Sequence, residues 1–266
     1  MPFALWLYLG IEQLPLAAEE SHDPHNDMPR GILWGLLTLI VCSFLTVVLS
    51  AGIAPGAAKL GASQEPLVLS FTTIAGAHLT KVFGVVACIG LIASFHAIIY
   101  AYGRQIYSLS RAGYFPTWLS QTHSKHETPV RALVVGSLLG LGAALAIYVS
   151  GSTGKVGATL LNMAVFGAVI AYILQMASFL ILRWRLPKLE RPYVSPMGVA
   201  GAWIAAMIAA VTLVALFLNP DYRPGVLGAA VWFLLGIAYF ALWARRRLVL
   251  SPEEEFARKH VGKQAR

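Results

Sequence analysis

Six apolar runs, each long enough to cross a bilayer, dominate this sequence. They cover about 31–53, 82–103, 132–150, 157–182, 198–218 and 225–244. A span takes ~20 apolar residues, and hydrocarbon offers a backbone no hydrogen-bond partners, so each run is expected to be a helix. Of the 266 residues, 58% are hydrophobic and 12% charged, with a mean hydropathy of +0.68. An ordinary soluble domain is about 25% charged. A cytosolic enzyme, a disordered chain and a secreted disulfide scaffold are therefore excluded. The expected fold class is all-α: a polytopic transmembrane helical bundle, with no soluble domain, linker or low-complexity stretch.

A seventh run, residues 2–18, is short for a span and contains Gly10, Glu12 and Pro15. A polar segment, 19–30, separates it from the first full run. Lysines and arginines fall unevenly on alternate loops. One set of loops, with the tail 245–266, holds sixteen of them; the other set holds Lys59, Lys81, Lys155 and Arg223. The positive-inside rule makes the richer side, and so the C-terminus, cytoplasmic. The formal charge of +8 thus reads as a topology signal. It does not read as a nucleic-acid surface, since aromatics do not interleave with the basic clusters. Counting back, the short run enters from outside, which suggests the second part of something larger.

Glu12 is the sharpest candidate for function, because a carboxylate within an apolar segment is expensive. Gly10 and Pro15 weaken the helix on either side of it. A broken helix offers carbonyls and amides to a substrate or ion near the midplane. Trp6, Leu9 and Gln13 share one helical face, as do His96 and Tyr100 in the run 82–103. The plainer readings are a solvated carboxylate, a packing stripe, and a neutral histidine bonded to a backbone carbonyl. Asn162 and Gln175 read as interhelical hydrogen-bonding groups. Gly136, Gly140 and Gly142 are expected to let helices approach closely. Cys42 and Cys88 read as packing residues. The pairs His22/His25 and His123/His126 lack a third ligand at a convincing spacing, so no metal is expected. No cofactor is expected either, and catalytic motifs such as HExxH and GxSxG are absent, which argues against an enzyme.

Two stretches carry a family resemblance. Leu5–Ile32 resembles the sixth helix and following loop of amino acid–polyamine–organocation permeases, through Gly10-Ile11-Glu12, Ala17-Ala18-Glu19-Glu20, Asp23-Pro24 and Pro29. Tyr102–Ala132 is similar to the loop after their eighth helix, through Ser110-Arg111-Ala112-Gly113, Pro116 and Pro129. Within that superfamily the chain resembles bacterial ethanolamine permeases. The cues are Glu12-Gln13-Leu14-Pro15-Leu16, the stretch 160–176, and Pro252-Glu253-Glu254-Glu255-Phe256-Ala257. The resemblance covers helices six to twelve: the second inverted repeat plus the last two helices of a LeuT-like fold.

The resemblance implies a secondary active transporter of a bacterial cytoplasmic membrane, importing a small amine, ethanolamine, with a coupling proton or other cation. It places Trp6, Leu9, Gly10 and Glu12 on the substrate-lining, unwound part of the broken helix. It adds Phe95, His96 and Tyr100 from helix eight, and Asn162 and Phe166 from helix ten. Glu12 is expected to pair with the cargo cation or to carry the coupling proton, since a carboxylate in an apolar site exchanges protons readily. A permease for amino acids or other amines, and a non-transporting remnant, are the alternatives.

Overall fold

The computed structural model describes residues 7–54, 56–63, 66–150, 155–188, 190–191, 193–250 and 255. Among them there are helices and turns and no strand. A 3₁₀ segment, Ile11–Glu20, precedes seven α-helices. These are α1 (Pro24–Gly52), α2 (Ala57–Ala62), α3 (Pro66–Arg111), α4 (Val130–Val149), α5 (Lys155–Arg185), α6 (Gly198–Leu218) and α7 (Arg223–Leu242). All except α2 are long and apolar enough to cross a membrane. Their outward residues are large and apolar: Trp34 is 69% exposed and Leu139 66%. Such flanks suit a hydrocarbon solvent, where exposing them to lipid costs nothing.

The chain divides into two compact units, residues 10–101 and residues 102–266 with the segment that ends at Leu9. In the first unit the 3₁₀ segment packs along the start of α1. Gly31 and Gly35 sit one turn apart and form the groove that receives it. A Cβ on Gly31 would lie 2.9 Å from Leu14 Cδ2, and one on Gly35 would lie 2.9 Å from Ile11 Cδ1. Asp23 caps α1. Its carboxylate accepts from Asn26 N at 3.4 Å and Asn26 Nδ2 at 2.7 Å. Asp27 reaches back to accept from Ser21 Oγ and Asp23 N. Pro24 fills a position at the helix start where a missing N–H is harmless. The helix α3 is far longer than the run 82–103 that announced it. The added turns, 66–81, carry Thr72, Thr73 and Thr80, each hydroxyl donating to the carbonyl four residues back. Within them Gly76 leaves helical geometry at φ 71°, ψ 168°, so the long helix is broken there.

In the second unit α5 is the centre. It packs against both α6 and α7, and Val165, Phe166 and Val169 meet Ala209, Leu216 and Ala229 in a buried cluster. The crossing with α7 is close because Gly225 has no side chain. A Cβ there would lie 2.5 Å from Asn162 Cβ and 3.4 Å from Thr159 O. One turn further, Gly228 faces Met163 in the same way. Gly136 on α4 receives the Tyr102 ring, whose hydroxyl donates to Leu133 O at 3.2 Å and bonds Ser137 Oγ at 2.8 Å. Gly140 and Gly142 differ from the expectation of close packing: among the described residues, a Cβ on either would meet nothing within 4 Å beyond its own helix backbone. The reason is geometric, since Gly140 is one turn beyond the Tyr102 contact and Gly142 lies on another face.

The loop after α3 is tied to the end of α7. Ser110 is fully buried and donates from Oγ to Pro116 O at 2.6 Å. Tyr239 Oη donates to Tyr114 O at 3.1 Å, and Val249 N to Ala112 O at 3.1 Å. Gly113 passes so close to Arg247 O that any side chain would collide with it.

Two outcomes follow. Gly225→Ala should destabilise the chain by about 1–3 kcal/mol through overpacking. Gly236→Ala, with open space around it, should be neutral or slightly stabilising, as helix propensity favours Ala by ~1 kcal/mol. Thermal unfolding in detergent checks the pair. The Asn26 side chain holds the Asp23 carboxyl below the ordinary carboxylate range, against a smaller opposing effect of desolvation. A lowered folded-state pKa makes the cap's contribution complete above the unfolded value, ~3.9, and lost as pH falls through the folded one. The Asn26 amide resonance should therefore move only at acid pH, and Asp23→Ala should abolish that titration.

Candidate functional site

The break in the first apolar run is built by three residues. Residues 7–10 form a turn, and Gly10 sits at φ 107°, ψ −18°, in left-handed space that L side chains rarely adopt. The chain then enters the 3₁₀ segment, ten residues long with Pro15 inside it. A 3₁₀ stretch beyond three or four residues is uncommon and often marks a functional hinge. Glu12 closes the break: its Oε2 accepts from Gly10 N at 2.9 Å. Gln13 N donates back to Gly10 O at 3.0 Å. The carboxylate thus occupies the amide freed by the left-handed turn. Its side chain is half-buried, and one of its oxygens is committed to the backbone.

The other expected site residues fall in different places. Trp6 lies outside the described residues. Leu9 packs against the buried cluster of the second unit, the one that holds Phe166. Gly10 and Glu12, next along the chain, belong to the first unit. Phe95 and His96 are exposed on α3, Phe95 by 58%. The His96 ring Nδ1 bonds Ile92 O on its own helix at 2.8 Å, the arrangement of the plainer reading. Tyr100 is half-buried one turn along. Asn162 is buried, 9% exposed, at the α5–α7 crossing, where its Cβ abuts Gly225. So Leu9 and Phe166 share one cluster, with Asn162 a turn from Phe166. Gly10 and Glu12 share the helix break.

Sequence reasoning passed over Gly31 and Gly35, which seat the broken segment. Their Gly-x-x-x-Gly spacing was the available signal. The His123 and His126 rings lie 5.2 Å apart, and among the described residues no three metal-ligating side chains converge.

These helices define a multi-pass membrane protein. The family described as amino acid permease matches residues 1–243, and the chain belongs to it. It is similar to the branched-chain amino acid permease BcaP of Bacillus subtilis, 27% identical over 92% of this chain and 50% of the relative. The D-serine/D-alanine/glycine transporter of Escherichia coli is 23% identical over 91% of this chain and 52% of its own length. The putrescine transporter PotE of Escherichia coli is 29% identical over 67% and 40%. The chain spans about half the length of the curated relatives it matches.

Gly10→Ala meets no neighbour, so its cost is conformational alone. It should destabilise the break by about 1–2 kcal/mol, the penalty of left-handed backbone for an L residue. A comparable loss of thermal stability, with the Gly52→Ala variant unaffected, checks this.

Proposed function

We propose that this chain is the second inverted repeat and last two helices of a secondary active permease that imports ethanolamine across a bacterial cytoplasmic membrane, driven by a proton or other cation. The observation that carries the reading is the helix break at Gly10, with the Glu12 carboxylate closed over it. A small cation with a hydroxyl and no carboxylate calls for an anion, free carbonyls or an aromatic face. Glu12 has one oxygen on the backbone and the other available to a cargo ammonium or a proton. Gly10, Leu9 and Trp6 form the substrate-lining segment of this proposal. By the sequence resemblance, Phe95, His96, Tyr100 and Asn162 are its further substrate-binding residues. The tail and the basic loops face the cytoplasm, by their share of lysine and arginine. The sequence cues at Glu12–Leu16 and 160–176 support ethanolamine. A relative that carries putrescine, an amine without a carboxylate, is compatible with it.

A second reading, an amino acid permease, is favoured by the relatives named for branched-chain and small amino acids. Competition separates the two. Unlabelled ethanolamine should suppress uptake of labelled ethanolamine in cells expressing the full-length protein, and leucine, glycine and D-alanine should not. Dominance of any of those amino acids would favour the second reading. Glu12→Gln should lower uptake by about 10–100-fold, the value of a hydrogen bond to a charged group, and flatten its pH dependence. Unchanged uptake at every pH would remove Glu12 from both roles.

A further inference from the structure

An apolar groove of about 640 Å³ runs between α5 and α6 in the second unit. Ala177 and Ala206 leave the space, Ile173 lines its inner end, and Trp184 and Trp203 form its walls. The single charged group lining it is Arg183, in the last turn of α5. From Arg183 to Ile173 the groove follows ten residues of helix, or ~15 Å. That is the depth of one leaflet, half of a ~30 Å hydrocarbon core. A groove charged at one end and apolar for one leaflet's depth matches a phospholipid in shape.

The charged end specifies the headgroup. The Arg183 guanidinium lies over the Phe179 ring, Cζ 4.8 Å from its centroid. Its Nη1 stands 4.0 Å from where a Cβ of Gly198 would be, at the first residue of α6. Its Nε has no hydrogen-bond partner among the described residues. Arg185, Lys188 and Arg191 follow within eight residues, against Glu190 as the one acidic residue. A planar guanidinium fork at a membrane boundary, in a basic surrounding, recognises a phosphate. Basic pockets between spanning helices select anionic headgroups over zwitterionic ones. Trp184, 82% exposed beside Arg183, is the amphipathic aromatic that favours headgroup depth. We propose that this groove binds an anionic phospholipid, with the phosphate on Arg183 and an acyl chain along Ala177 and Ala206. The inference does not depend on the identity of the cargo.

The test uses the full chain in bilayers of equal phosphatidylglycerol and phosphatidylcholine, with retained lipids counted by native mass spectrometry. Phosphatidylglycerol should be retained about fivefold over phosphatidylcholine, the preference that a basic residue near the surface confers. Arg183→Gln should remove the preference. Ala177→Trp, which fills the groove, should lower retention of both lipids, and Arg131→Gln, outside the groove, should change neither. Tryptophan quenching of the unaltered protein by acyl-brominated lipid gives a readout that no variant's misfolding disturbs. Brominated phosphatidylglycerol should quench more strongly than brominated phosphatidylcholine. Equal retention, equal quenching, an intact preference in folded Arg183→Gln, or a second copy of the chain in place of lipid would each overturn the proposal.

Discussion

The constraint on which this chain depends is the backbone hydrogen bond in a solvent that cannot replace it. In hydrocarbon an unsatisfied amide or carbonyl costs several kcal/mol, so the helix is the default and every departure must be answered locally. The departures here are few. At Gly10 the freed amide is taken by the Glu12 carboxylate and the carbonyl by Gln13 N. On α3, threonine hydroxyls add side-chain bonds to the carbonyls around the Gly76 break. The first departure joins backbone geometry to ionisation. If Glu12 is neutralised, the bond that closes the turn becomes an ordinary one, roughly half as strong.

Without a hydrophobic drive between helices, association rests on shape, and shape here rests on missing side chains. Gly31 and Gly35 seat the 3₁₀ segment, Gly136 admits Tyr102, and Gly225 and Gly228 admit α5. In each case the partner is a side chain or backbone that would otherwise hold the helices apart. The buried cluster around Val165 and Val169 is small by comparison. The second unit is therefore held by a few close crossings plus one polar closure, where the Tyr114 and Ala112 carbonyls bind the end of α7 and the chain beyond it, and Ser110 braces their loop through Pro116 O.

The helices were legible in the sequence because a span must be apolar along its whole length, and nothing else in a chain of this size looks like that. Their ends were less so. The extra turns of α3 carry Thr72, Thr73, His78 and Lys81, which weaken an apolar signal without weakening a helix. The break at Gly10 was visible because Gly, Glu and Pro are each unfavourable inside a span. The close crossings were partly visible. Gly136 packs as expected, but Gly140 and Gly142 in the same helix do not, since a helix apolar all round gives no periodicity that marks its inner face. Phe95 and His96 lie exposed on α3, a helix with the same flat pattern.

Asn162 illustrates how packing and recognition compete for the same residue. Its side chain is buried at the α5–α7 crossing, where the absence of a Gly225 side chain sets the helix spacing. A residue so placed is fixed by the crossing, and a crossing this tight resists small displacements. Phe166, one turn on, is buried with it and stacks edge-on against Phe217 at 5.2 Å. α5 is therefore a rigid element of the second unit, held by its crossings with α6 and α7.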